Sequence, residues 1–100
     1  MNELIISQLQ AVVAPLASQY GVERMYLFGS RARGDHRPDS DYDFLISKGR
    51  VQSLTTHAAL WQDLEDALQA PVDLVPDTSS DMELIRQARK DAVLIYAQQR

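Results

Sequence analysis

Two aspartates and a preceding glycine–serine pair are the residues whose types and spacing point most directly to chemistry. Asp41 and Asp43 stand two residues apart, and ten residues separate Asp41 from Gly29-Ser30. At the beginning of a strand both carboxylates would lie on one face. Without a cation between them, their negative charges would repel each other. A divalent ion with oxygen ligands neutralises such a pair, and Mg²⁺ is the usual one where phosphates also bind. The pattern therefore predicts a magnesium site.

The Gly29-Ser30 pair predicts a phosphate-binding turn beside the aspartates. Glycine lets the backbone turn tightly and approach a ligand closely, and Ser30 adds a hydroxyl and a backbone N–H group. A helical turn over residues 31–34 would face an anion with its first N–H groups. Arg31 and Arg33 add fixed positive charge nearby.

Apolar runs and amphipathic segments predict the elements that position these residues. Three strands are predicted over residues 24–28, 42–47 and 72–75, and three helices over residues 3–20, 53–69 and 81–98. The order α-β-β-α-β-α predicts an α/β or α+β fold, in which helices pack on a small mixed β-sheet.

Local signals predict where the helices begin and where one of them is disturbed. Asn2 and Ser80 are the expected N-caps of the first and last helices. Either Ser53 or Thr55 is expected to cap the middle helix. Pro15 predicts a kink or break in the first helix, because proline removes a hydrogen-bond donor and clashes with the preceding turn.

The size and composition of the chain narrow its function. With 100 residues, 45% of them hydrophobic, we expect one domain over residues 1–100 with a modest core. The net charge of −4 argues against long nucleic acid as a partner, because proteins that track a phosphate backbone are usually basic. The absence of cysteine excludes disulfides and fits a reducing cytoplasm. We expect no membrane span, no secretory signal and a cytoplasmic protein.

The run Gly-Ser-Arg-Ala-Arg-Gly over residues 29–34, followed by Ser40-Asp41-x-Asp43, resembles the signature of the DNA polymerase β-type nucleotidyltransferase superfamily. The fuller string resembles that superfamily's smallest branch, the minimal nucleotidyltransferase (MNT) domain. The resemblance covers about residues 22–75. It implies the nucleotidyltransferase fold, and many members of this branch are the antitoxins of HEPN/MNT toxin–antitoxin pairs.

The resemblance also implies roles for individual residues. Taken alone, Asp73 is best interpreted as an edge position or a cap, but the superfamily carries its third carboxylate on the corresponding strand. Asp41, Asp43 and Asp73 are then the metal ligands and catalytic residues, and three carboxylates can hold two Mg²⁺ ions. The implied nucleotide-binding residues are Gly29, Ser30 and Arg33. Of the two arginines the resemblance favours Arg33 and leaves Arg31 as a solvated charge.

Together these expectations describe an antitoxin that transfers AMP from ATP to a tyrosine hydroxyl of a HEPN-family toxin ribonuclease. Larger relatives carry a second domain for the acceptor, and 100 residues leave no room for one. We therefore expect the acceptor on another molecule, in a hetero-oligomer with the toxin. The alternatives are a binding-only antitoxin with a non-catalytic site, a nucleotidyltransferase acting on a small molecule, and a stand-alone nucleotide sensor. The sequence ties no residue to adenine.

Overall fold

Four helices alternate with four strands along the part of the chain that the structure describes. The computed structural model covers the backbone of residues 3–99 and the side chains of residues 5–99. The elements are α1 (Glu3–Tyr20), β1 (Arg24–Phe28), α2 (Gly29–Arg33), β2 (Tyr42–Ser47), α3 (Leu54–Leu68), β3 (Val72–Pro76), α4 (Met82–Asp91) and β4 (Val93–Ala97).

The strands form one mixed sheet in the order β3-β2-β1-β4. β1 is antiparallel to both β2 and β4, whereas β2 and β3 are parallel. A parallel pair needs a crossover connection, and α3 supplies it. The predicted fold class, a small mixed sheet with helices packed on it, is confirmed.

The sheet is covered on both faces, and β2 shows this most clearly. Phe44 and Ile46 lie in the large apolar cluster with residues of α1 and α3, while Leu45 lies in a smaller cluster with residues of α4. All three side chains are at most 1% exposed. A strand buried on both faces is continuously apolar rather than alternating. Because Asp43 shares the face of Leu45, its carboxylate lies on the α4 side of the sheet.

The last predicted helix is wrong beyond Asp91, where α4 ends. Ala92 has an extended backbone, and Val93–Ala97 forms a strand that pairs with β1. The β-branched and aromatic residues of this segment suit a pleated, half-buried surface. Pairing with the free edge of β1 therefore outweighs the helical spacing of the apolar residues.

The helix ends agree with the predictions at some positions and correct them at others. Ser53 caps α3, because its side chain accepts a hydrogen bond from the Thr56 N–H group. The prediction for Ser80 is wrong, since Asp81 caps α4 by accepting from Leu84. The predicted cap Asn2 lies outside the described residues.

α1 runs through Pro15 without a break. Pro15 and Ala11 are both exposed, so the Ala11 carbonyl that loses its helical donor can bond to water instead. Within residues 3–99, no helix combines the length and the apolar content needed to cross a bilayer.

Candidate active site

The predicted site residues meet at one edge of the sheet, where β1 ends and β2 and β3 begin. Phe28 is the register partner of Asp43, and Asp43 is the register partner of Asp73. Neighbouring strands lie about 4.8 Å apart. The end of β1 and the beginnings of β2 and β3 therefore bring Gly29 and two carboxylates into one row. Asp41 lies just before β2, and its charge acts on Asp43.

Gly29 lies directly against the Asp43 carboxylate. Its φ angle is +75°, in the left-handed region that favours glycine. A β-carbon at this position would collide with Oδ2 of Asp43. The glycine thus serves two purposes, since it allows the sharp turn out of β1 and leaves the space that the carboxylate fills.

The electrostatics of Asp43 show an excess of negative charge at this edge. Burial raises the pKa of the Asp43 carboxyl above its ordinary value, and the charges of Asp73 and Asp41 raise that pKa further. The positive charge of Arg33 opposes the shift but does not cancel it. A half-buried carboxylate between two like charges favours a proton or a bound cation.

The three aspartates have the ligand chemistry that Mg²⁺ prefers, although they do not provide a complete coordination shell. Carboxylate oxygens are the ligands that Mg²⁺ takes from proteins, and it usually keeps several other positions for water and phosphate oxygens. Asp41 and Asp73 are exposed, so such positions stay open. Across residues 3–99, no group of three or more His, Cys, Asp or Glu side chains is arranged as a ready metal site.

The helical turn expected after the Gly-Ser pair is present, and it begins earlier than residues 31–34. α2 spans Gly29–Arg33, and Gly34 ends it with a φ angle of +84°. The Ser30 carbonyl accepts hydrogen bonds from the backbone of Gly34 at 2.9 Å and of Asp35 at 3.1 Å. Among the described residues, the Ser30 hydroxyl has no hydrogen-bond partner, which leaves it available to a ligand.

Arg33 connects α2 to the end of α4. Its Nη1 atom donates to Oδ2 of Asp91 at 2.8 Å, and its Nε atom donates to Asp35 at 3.2 Å. The side chain is about half exposed. These contacts give Arg33 a structural role, while its nucleotide-binding role stays a prediction.

Arg31 is not the solvated charge that its sequence context predicts. Its guanidinium donates to the Ser40 carbonyl from Nη2 at 2.8 Å and from Nε at 3.1 Å, and to the Pro38 carbonyl at 3.2 Å. The same group lies over the Tyr42 ring, 4.0 Å from its centre. The sequence carries no signal for this contact, because backbone carbonyls in an irregular loop leave no pattern in the residue types.

Comparisons with known proteins show which family and which relatives the chain resembles. A family model described as "Polymerase beta, Nucleotidyltransferase" matches residues 10–100. The protein adenylyltransferase MntA of Thermococcus cleftensis is 32% identical over 93 residues, which are 93% of this chain and 94% of that relative.

Two solved structures are also similar. One is described as a minimal nucleotidyltransferase; it has a TM-score of 0.74 and 34% identity, over 91% of this chain and 92% of that chain. The other is a toxin–antitoxin crystallised with AMP-PNP, with a TM-score of 0.68 and 27% identity, over 99% of this chain and 76% of that chain.

Proposed function

The chain belongs to the polymerase beta nucleotidyltransferase family, and we propose that it is an antitoxin that transfers AMP from ATP to a tyrosine hydroxyl of a HEPN-family toxin ribonuclease. The relative that supports the reaction is a protein adenylyltransferase, similar over nearly the whole chain. The AMP-PNP complex of a similar toxin–antitoxin supports both the ATP substrate and the partner.

The observation that carries the proposal is the row of carboxylates beside the Gly29-Ser30 turn. Asp43 and Asp73 are register partners, and the Asp43 carboxylate lies against Gly29. Nucleotidyl transfer needs acidic metal ligands beside a turn that can hold phosphates. The chain provides both at one edge of the sheet.

The placement of these residues supports a role for each of them. In this proposal Asp41 and Asp43 would hold one Mg²⁺, and all three aspartates would hold a second. Mg²⁺ held by these residues would supply positive charge against the triphosphate and the pyrophosphate leaving group. The Ser30 hydroxyl and the first N–H groups of α2 bind the β- and γ-phosphates, close to Gly29. Arg33 adds positive charge from its position beside the carboxylates.

The transfer exchanges one phosphorus–oxygen bond for another. The tyrosine oxygen attacks the α-phosphorus of ATP, and the bond from that phosphorus to the bridging oxygen of the β-phosphate breaks. Pyrophosphate leaves with the bonding electrons. We assign the hydroxyl proton to the carboxylate of Asp73, which is exposed at the edge strand β3 and can meet an acceptor from outside.

The acceptor comes from the partner protein in this proposal. Asp41 and Asp73 are both exposed, so a second protein can bring a tyrosine to the row. Antitoxin and toxin form a hetero-oligomer, and the described residues act as a single domain. We place the reaction in the cytoplasm, where ATP is available and where a chain without cysteine is at no disadvantage.

The test is label transfer in an extract of the native host. Purified protein is incubated with Mg²⁺ and ATP labelled in the α-phosphate, and in parallel with ATP labelled in the γ-phosphate. We expect one protein band whose α-label depends on the added protein, and no band whose γ-label depends on it, since AMP rather than phosphate is transferred.

Two variants make this test specific for the site. Asp43→Asn should abolish labelling, because it removes the central carboxylate of the row. Asp39→Asn is the matched control, since Asp39 lies in the exposed loop before Asp41 and loses the same charge. If label transfer is undetectable with every form, but one partner co-purifies with both wild type and Asp43→Asn, the protein is a binding-only antitoxin.

A further inference from the structure

We infer that Arg31 is a positioning residue that holds Asp41 at a fixed place relative to the Ser30 turn. The inference rests on the proposed function, because it assigns Asp41 as a metal ligand. It concerns a residue to which the resemblance assigns no role in the site. Its support is a set of contacts that surround Asp41 on both sides in the chain.

Neither burial nor regular secondary structure fixes the position of Asp41. It is exposed, and it lies outside the helices and strands, in the residue before β2 begins. The loop before it closes on itself, because the Ser40 hydroxyl accepts from the Arg37 N–H group at 2.8 Å. That bond shapes the loop, but it does not tie the loop to the phosphate-binding turn.

Arg31 makes that connection through the two neighbours of Asp41. Its guanidinium donates twice to the carbonyl of Ser40, which is part of the peptide bond to Asp41. Its guanidinium carbon also lies over the ring of Tyr42, the next residue after Asp41. One side chain therefore contacts both neighbours of Asp41 in the chain, Ser40 and Tyr42. That side chain belongs to Arg31, which follows Ser30 directly in α2.

The chemistry of the contact requires arginine. A planar guanidinium can donate two hydrogen bonds in one direction while its face stacks on an aromatic ring, and a lysine ammonium cannot do both. Arg33 does not perform this task, because its guanidinium is bound to Asp91 and Asp35. The two arginines of the signature thus hold different parts of the site.

The expected consequence is a change in metal dependence. Groups that orient metal ligands typically change metal affinity about 10- to 100-fold when they are removed. Loss of the Arg31 contacts should leave all three carboxylates present, while the position of Asp41 becomes less fixed. We therefore expect weaker Mg²⁺ binding, and a rate of AMP transfer that recovers toward wild type at high Mg²⁺ concentration.

The experiment compares Arg31→Met and Arg31→Lys with Arg37→Met. Arg37 is an exposed arginine of the same loop, and its side chain makes no hydrogen bond within the described residues, so this variant removes the same charge. The first measurement is the rise in melting temperature with Mg²⁺ alone. The second is the rate of AMP transfer as a function of Mg²⁺ concentration.

For both Arg31 variants we expect the half-saturating Mg²⁺ concentration to rise about 10-fold or more, with no change for Arg37→Met. Melting in EDTA shows whether each variant folds, and Arg31→Lys decides the matter if Arg31→Met does not fold. Arg31 variants with the wild-type Mg²⁺ dependence would overturn the inference, even if they melt at a lower temperature.

The failure of the proposed function gives a different result. A wild-type protein that responds to Mg²⁺ but transfers no AMP contradicts the reaction, while the Arg31 comparison still decides the positioning role. A wild-type protein whose melting temperature is insensitive to Mg²⁺ overturns both the metal site and the role of Arg31.

Discussion

Asp43 and Asp73 are register partners on adjacent parallel strands, so two carboxylates stand side by side on the α4 face of the sheet. They are thirty residues apart in the chain, and the crossover helix α3 lies between them. Burial raises the pKa of the Asp43 carboxyl, and the charges of Asp73 and Asp41 raise it further. This row is where the fold keeps negative charge close together.

The space beside Asp43 should make Gly29 far less tolerant of substitution than Gly34. Both glycines have positive φ angles, but a β-carbon at position 34 would meet nothing within 4 Å, whereas one at position 29 would strike the Asp43 carboxylate. We expect Gly34→Ala to cost about 1–2 kcal/mol in free energy of unfolding, from backbone strain alone. Gly29→Ala should cost more and also abolish AMP transfer. Urea denaturation and label transfer measure the two effects; equal losses for both variants would contradict the collision.

The stability of the metal-free protein should depend on pH through Asp43. Because the pKa of this carboxyl is higher in the folded state, folding favours its neutral form. Its contribution is fully present below the unfolded pKa of about 4 and is lost as the pH rises through the folded pKa.

The matching variant is Asp43→Asn, which stays neutral at every pH. In EDTA we expect its melting temperature to exceed that of wild type at pH 7, and the difference to shrink as the pH falls toward about 3.5. Asp39→Asn, in the exposed loop, should show no such trend. A constant difference between Asp43→Asn and wild type at all pH values would rule out the linkage.

Magnesium should stabilise the folded protein through the same carboxylates. A ligand that binds only the native state stabilises it by about 2.7 kcal/mol at 100 times its dissociation constant. We expect the wild-type melting temperature to rise with Mg²⁺ and to return to its starting value when EDTA is added.

Asp73→Asn separates this effect from general ion binding. Asp73 is exposed at the edge of the sheet, and its charge repels the Asp43 carboxylate, so the substitution should not lower the metal-free stability. It should reduce the Mg²⁺ response strongly, because one of three ligands is lost. A full Mg²⁺ response in both Asp73→Asn and Asp43→Asn would show that the ion binds elsewhere.

The strand assignment of β4 predicts opposite sensitivities for two adjacent residues. Ile95 is 3% exposed and packs in the large cluster, whereas Leu94 is 47% exposed. Ile95→Ala should lower the free energy of unfolding by about 2–5 kcal/mol, as truncations in a core do. Leu94→Ala should cost well under 1 kcal/mol. Urea denaturation measures the free energy of unfolding of both variants. A large decrease for Leu94→Ala would contradict the assignment of this segment to a strand.

Local patterns in the sequence were enough for the elements that carry the site. The strands over 24–28 and 42–47 have the predicted bounds, and β3 extends its predicted range by one residue to Pro76. Ser53 caps α3 as one of the two predicted candidates. These features are set by the residue types of a few neighbours, through burial patterns and caps, and so they can be derived without the fold.

Contacts between distant segments decided the rest. β4 exists because β1 offers it a free edge, and the helical spacing of its apolar residues concealed the strand preference of its β-branched and aromatic side chains. Arg31 bonds to carbonyls of an irregular loop, which residue types do not encode. The sequence by itself thus determined which acidic and glycine residues are present and which strands carry them. Only the tertiary structure decided that Asp43 faces both Gly29 and Asp73, because that placement depends on strand pairing across a crossover.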